Sequence, residues 1–183
     1  MKGIIVYKGK YGATRQYATW IGEALNWPLF TPEQLLNQTL DDADVVIVGG
    51  SVYAGQLTLH DWLKKHAHQL LRKKVFLFIV CATPADKKDV LEQIAKHNIP
   101  ALLQDLVTVF YFRGRLVIND LSWLHKLMLK LASRTTNDAD EKERMVHGFD
   151  AMNKDNILPL LQLVNDVQTS SFNKVAGRKM WAD

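Results

Sequence analysis

Lys8-Gly9-Lys10-Tyr11-Gly12-Ala13-Thr14 is the stretch that decides the fold. An apolar run, Gly3-Ile4-Ile5-Val6-Tyr7, leads into it, and the amphipathic Arg15-Gln16-Tyr17-Ala18-Thr19-Trp20-Ile21 leaves it. A strand that ends in a glycine-bearing loop and opens a helix presents unpaired backbone N–H groups to an anion. Two lysines in the loop and a threonine at the helix entry suit a phosphate. This reading puts a phosphate-bearing cofactor at the carboxyl edge of a parallel sheet. The plainer alternative is a strand-to-helix connection whose glycines serve only turn geometry.

Strand-like and helix-like patterns alternate downstream. Residues 14–25 place Tyr17, Ala18, Ile21 and Leu25 on one helical face. Leu29-Phe30, bracketed by Pro28 and Pro32, reads as a small edge strand. Residues 44–50, 74–81 and 106–112 read as buried strands. They are continuous in valine, isoleucine, leucine and phenylalanine, as in parallel sheets covered on both faces. A loop from Ser51 to Gln56 precedes a helix around 58–71, and a further helix runs from Pro84-Ala85-Asp86 to near Asn98. The alternation predicts a doubly wound α/β sandwich. Residues 134–155 are polar and read as a loop plus a short helix. Asp155 is the candidate cap of a last helix through Leu163, with Pro159 in its first turn. The stretch from Gln168 to Asp183 reads as a polar, partly disordered tail.

The 183 residues suit one domain with a substantial core, and no apolar run approaches the roughly 20 residues that span a bilayer. The chain enters a strand after one lysine, so no secretory leader is expected. Cys81 is the only cysteine; a disulfide within the chain is excluded and a reducing, cytoplasmic setting is expected. His66 and His68 stand too close to share a helix face, and no other cluster proposes a metal. The net charge of +4 favours phosphates, an acidic protein or a membrane surface. The basic residues are scattered and no nucleic-acid motif accompanies them, so no nucleic-acid partner is expected.

The first loop, the later Gly49-Gly50-Ser51-Val52-Tyr53-Ala54-Gly55 and the succession of elements together resemble the flavodoxin-like FMN-binding proteins. Within them the chain is most similar to the branch containing menaquinone-dependent protoporphyrinogen dehydrogenase. The resemblance spans residues 1–165 and includes Arg113-Gly114-Arg115 and the basic, apolar run Leu121 to Leu131, a segment that short flavodoxins lack. It implies a three-layer αβα sandwich with a five-stranded parallel sheet of order 2-1-3-4-5 and an extra helical segment after the last strand. Residues 1–167 would form this domain, 113–135 its inserted basic segment and 168–183 a polar tail. The cofactor implied is FMN. Its phosphate would lie over Gly9, Lys10, Tyr11, Gly12, Ala13 and Thr14, and its ring between Ser51, Val52, Tyr53, Ala54, Gly55 and the pair Ala82 and Thr83. The activity implied is electron or hydride transfer through the flavin, as a dehydrogenase-like oxidoreductase or a carrier. Its partner would be a quinone, a tetrapyrrole precursor or a redox protein. Arg113 and Arg115 are candidates for an acidic substrate's carboxylate, or for structural ion pairs.

The family's loop reads Ser/Thr-x-Thr-Gly-x-Thr. Gly12 and Thr14 match it, whereas Gly9 and Tyr11 occupy the first two hydroxyl positions. Lys8 and Lys10 are candidates to compensate by charge. The departures also leave open a flavodoxin-fold interaction protein that has lost FMN. Three further positions carry two readings each. Tyr53 flanks the ring or packs on the next helix, and Thr83 faces the crevice or caps the following helix. The Leu121–Leu131 helix, with Leu121, Leu124, Leu127, Met128 and Leu131 on one stripe and Lys126, Lys130 and Arg134 nearby, meets a membrane surface or covers the domain's own core. Its stripe width suits the core. Cys81 reads as a small core residue. No residue stands out as a catalytic acid, base or nucleophile, as expected where a cofactor carries the chemistry.

Overall fold

The computed structural model describes residues 1–53, 55–135 and 139–179. Five parallel strands form its centre: β1 (Gly3–Lys8), β2 (Leu29–Phe30), β3 (Val45–Tyr53), β5 (Lys74–Cys81) and β6 (Val107–Arg113). Their order is β2-β1-β3-β5-β6, so the five parallel strands run 2-1-3-4-5. The sheet gains a sixth, antiparallel strand, β4 (Gln56–Leu57), where a loop was expected after Gly50. β3 continues through Tyr53, turns at Gly55 with φ 79°, and pairs back through Val52 with Leu57. Burial of Leu57 and the left-handed conformation open to glycine favour a hairpin over an open loop.

Alternation along the strands divides the core into two layers. Ile4, Val6, Val46, Val48, Val75, Leu77 and Ile79 face one side, where α2 (Asn37–Asp42), α3 (His60–Leu70), α4 (Lys88–Asn98) and α5 (Ala101–Gln104) lie. Ile5, Val45, Ile47, Phe76, Phe78 and Val80 face the other, under α1 (Ala13–Leu25) and α8 (Leu158–Lys179). Burying one such side chain contributes about 1.5–3 kcal/mol, which is why strands read as continuous apolar runs rather than as alternating ones.

Residues 168–179 of the expected polar tail are instead helical: α8 runs on from Leu158 to Lys179 rather than ending near Leu163, and residues 180–183 lie outside the described ones. Leu160, Leu161, Leu163, Val164 and Val167 pack it against the α1 layer, and a helix nucleated by packing extends cheaply through polar residues. Thr169 and Ser170 return their hydroxyls to the carbonyls of Asn165 and Asp166, which accommodates them mid-helix. The cap also differs. Asn153, not Asp155, accepts a backbone N–H, that of Asp155 at 2.9 Å, and opens a 3-10 turn that feeds α8. Pro159 occupies the first turn of α8, where its missing N–H is not needed.

Between β6 and α8 the chain leaves the sandwich. β7 (Arg115–Leu116) pairs antiparallel with β8 (Phe149–Asp150), closing an excursion that carries α6 (Trp123–Thr135) and α7 (Ala139–His147).

Candidate functional site

The carboxyl ends of β1, β3 and β5 and the excursion enclose a cavity of about 530 Å³. Of the residues expected to hold a cofactor, Lys10, Tyr11, Ala13, Thr14, Ser51, Val52, Tyr53, Ala82 and Thr83 line it. Gly9, Gly12 and Gly55 do not line it: Gly9 packs against Thr14, Gly12 and Gly55 take positive φ in the adjoining turns, and Ala54 lies outside the described residues.

The first loop is built by close approach. A Cβ placed on Gly9 would lie 2.5 Å from both Cβ and Oγ1 of Thr14, so the hydroxyl missing at position 9 is excluded by the one present at 14. Gly12 takes φ 83° and starts α1 with no side-chain cap and no acidic residue in its first turn. The positive end of that helix is left uncompensated by its own side chains. Thr14 is 1% exposed and its Oγ1 has no hydrogen-bond partner. Tyr11 brings its hydroxyl on a longer arm; burial, and then the neighbouring Tyr53, push its pKa up, so it stays a neutral donor. Lys8 turns away from the loop and pairs with Glu33 at 2.9 Å. Lys10 sits over the ring of Tyr53, its Nζ 3.6 Å from the centroid. The charge compensation expected of these lysines is therefore divided: one is spent on Glu33 and the other faces the cavity.

The second wall is held by two side chains that sequence reasoning passed over. Thr58 receives the N–H of Ser51 on Oγ1 at 3.1 Å and donates its own hydroxyl to the carbonyl of Lys8, tying the two loops together. Asn98, 3% exposed, accepts the N–H of Leu57 at 2.7 Å and donates to the carbonyls of Gly55 and Ile94, both at 2.9 Å. Neither link has a local sequence signal, since the partners lie 41 and 43 residues away from Asn98. The hydroxyl of Ser51 is buried and unpartnered like that of Thr14. Thr83 is not a helix cap: α4 starts at Lys88 with Lys87 as its cap residue and no side-chain capping bond. Cys81 is buried at the strand end, and that burial pushes its thiol pKa up, in keeping with a core residue.

The excursion forms the third wall through Leu116, Leu121, Leu129, Met145 and Phe149. It also adds cations. Lys10, Lys87, Arg115 and Arg144 line the cavity, and among the described residues no aspartate or glutamate does. Lys87 and Arg144 carry no motif that would single them out. The two arginines that flank Gly114 part company. Arg115 faces the cavity, whereas Arg113 lies outside it with its guanidinium 5.8 Å above the Phe149 ring. Tyr17 fixes this junction: its buried hydroxyl donates to the carbonyl of Arg113 at 2.8 Å and accepts from Asn153 and Asn156.

The expected apolar stripe of α6 divides as well. Leu121, just before the helix, is buried, but Leu127 and Leu131 are exposed, and the side chains of Leu124 and Met128 lie outside the described ones. α6 packs chiefly on α7, and Leu127 and Leu131 of its stripe do not cover the sandwich core as the stripe width suggested.

A family model, the flavodoxin domain, matches residues 4–143. The chain belongs to the flavodoxin domain family. Solved structures similar to this flavodoxin domain include the two-electron reduced flavodoxin of Megasphaera elsdenii, 20% identical over 60% of this chain and 82% of that one, with a TM-score of 0.44. A WrbA-like flavodoxin of Agrobacterium tumefaciens is 20% identical over 60% of this chain and 82% of its own, with a TM-score of 0.41. Rubredoxin:oxygen oxidoreductase of Desulfovibrio gigas is 13% identical, covered for 90% of this chain but 36% of its own length, with a TM-score of 0.48. No curated protein matches the chain.

A flavodoxin domain implies FMN as cofactor and a redox function. The residues of this flavodoxin domain fit that cofactor. Two buried hydroxyls, on Thr14 and Ser51, lack partners, and the α1 amides open onto a cavity lined by four cations. Its volume lies within the usual range for a cofactor site.

Proposed function

We propose that this flavodoxin domain is an FMN-dependent oxidoreductase of the protoporphyrinogen dehydrogenase type, oxidising a large, anionic, tetrapyrrole-like substrate and reducing a quinone. The observation that carries the reading is the excursion. It adds an apolar wall (Leu116, Leu121, Leu129, Met145, Phe149) and the arginine Arg144 to a cavity otherwise made by sheet-edge loops. A protein that only passes electrons across its cofactor's exposed edge has no use for such a wall; an enzyme that seats an apolar, carboxylated substrate does.

When bound, the flavin supplies the redox chemistry. The chain's own part is to bind, orient and exclude water. The α1 amides and Thr14 Oγ1 would hold the phosphate, Ser51 through Tyr53 and Ala82-Thr83 would bound the ring, and the excursion would cover the substrate side. Two electrons and two protons leave the substrate for each quinone reduced to quinol. Exposed Trp123, Leu127 and Leu131 recur at helical spacing on α6 beside exposed Lys126, Lys130 and Arg134. This supports peripheral contact with an anionic membrane surface, where quinones reside. Among the described residues no helix is long and apolar enough to cross a membrane.

The test begins with the absorption spectrum of the purified protein and a titration of apo-protein with FMN. Flavin bands and saturable binding are expected, followed by quinone-dependent oxidation of a porphyrinogen. No binding at high micromolar FMN would sink the whole reading. Tight FMN binding without porphyrinogen turnover would leave a redox flavodoxin domain and remove the substrate assignment.

A further inference from the structure

Resting on the reading that FMN binds here, we infer that Arg115 is the phosphate-recognising side chain that replaces the serine or threonine donors for which Gly9 and Tyr11 stand. A Cβ built on Gly12 would lie 3.3 Å from Arg115 Nη2, so the guanidinium reaches across the cavity to the residue that caps α1. It converges there with two other features: the uncapped α1 amides and the buried, unpartnered Thr14 Oγ1. No acidic residue stands in the first turn of α1, and among the described residues Arg115 makes no ion pair.

The chemistry suits the deficit. A phosphate monoester carries about −1.5 to −2 charges at pH 7 and three acceptor oxygens. Serine and threonine hydroxyls offer it neutral donors, whereas a guanidinium offers paired donors with full charge. One arginine can therefore stand for the two short-armed serine or threonine donors that the loop lacks. The sequence arrangement also explains why the substitution is invisible in the loop itself: the donor arrives from β7, more than 100 residues downstream, placed by backbone pairing of Arg115 with Asp150. That pairing uses main-chain groups, so the side chain is free for the cavity without being needed for the strand.

The role predicts a ligand preference rather than a general loss of binding. Riboflavin has the same ring and lacks the phosphate, so the ratio of its Kd to that of FMN isolates the phosphate contribution. Apo-protein is titrated with both ligands, following flavin fluorescence, for the unaltered chain, Arg115→Gln and Arg115→Lys. Arg115→Gln should raise the Kd for FMN about tenfold or more, as loss of a charged hydrogen bond does, and leave that for riboflavin within about twofold. Arg115→Lys should recover part of the preference. Added salt should weaken FMN binding by the unaltered chain more than by Arg115→Gln. Equal weakening of both ligands, or an unchanged ratio, would overturn the role while leaving FMN binding intact. An unaltered chain that binds neither ligand would overturn it together with the reading beneath it. Circular dichroism of the apo-forms separates these outcomes from misfolding, and the salt dependence of the unaltered chain tests the role without any variant.

Discussion

The two sides of the cavity are built on different principles. The sheet side is set by polar side chains: Thr58 joins the ends of β1 and β3, and buried Asn98 holds the β3–β4 hairpin with two hydrogen bonds and bonds its own helix with a third. The excursion side is anchored by one short strand pair and by Tyr17, and it leaves Trp123, Leu127 and Leu131 in solvent. The first side fixes where the cofactor lies before it arrives. The second brings charge and apolar surface, which on the proposed reading would adjust around a substrate. Stability and recognition are thus carried by different parts of the molecule, and substitutions should separate them.

The largest effect is expected at Asn98. Asn98→Ala leaves the N–H of Leu57 buried without a partner and removes the bond to the carbonyl of Gly55, at a cost of about 2–3 kcal/mol. A thermal melt should show a fall of roughly 5–10 °C, with FMN affinity reduced because the ring wall loosens. Tyr17→Phe comes next. It removes one donor and one acceptor at the joint between α1, Arg113 and the entry to α8, for about 1–2 kcal/mol, seen in the same melt. If Tyr17→Phe proved costlier than Asn98→Ala, the excursion rather than the sheet side would be the better-anchored wall.

Thr14→Val should act in the opposite direction. The hydroxyl is buried and unpartnered without cofactor, so an isosteric methyl is expected to raise apo-protein stability by up to about 1 kcal/mol. The same change should weaken FMN binding several-fold. Melts and titrations of one variant would then move apart, which a purely structural threonine could not produce.

This division also explains what could be read in advance. The five parallel strands were legible because double-sided burial demands unbroken apolar runs, and the first loop because glycines and a helix entry follow a strand. The hairpin after Tyr53 was not, since Val52, Gly55 and Leu57 acquire their meaning only from Asn98, far along the chain. α8 beyond Leu163 was hidden for a related reason: residues such as Thr169 and Ser170 favour no helix locally and inherit it from packing upstream. On α6 the sequence carries an apolar period, but period alone does not say which surface lies opposite. Thr83 looked like a cap because it precedes a helix; α4 simply begins later, at Lys88.

Trp123 tests the outer face of the excursion. At 76% exposure its replacement by alanine should change stability by less than about 0.5 kcal/mol. The same variant should lose most of the binding to anionic vesicles measured by sedimentation, with neutral vesicles as the control. Unchanged vesicle binding would count against α6 as the contact and leave the cavity assignments untouched.

The smallest effect is expected from one of the two lysines that are candidates to compensate by charge in the first loop. Lys8 stands at the start of the first loop, yet its ammonium is held by Glu33, and that hydrogen bond is the main reason the Glu33 carboxyl is lowered to about 2. A carboxyl lowered in the folded state stabilises it above the unfolded pKa near 4.5, and that contribution disappears as pH falls towards about 2. Both partners are solvent-exposed, so the gain is small. Lys8→Ala should therefore shift the melt only slightly at pH 7, converge with the unaltered chain near pH 2, and leave the FMN Kd within about twofold. Set beside Arg115→Gln, this locates phosphate recognition in the distant arginine rather than in the neighbouring lysine. If Lys8→Ala instead weakened FMN binding tenfold while sparing riboflavin, the ammonium would have to exchange Glu33 for phosphate on binding, and the charge in the first loop would be its own after all.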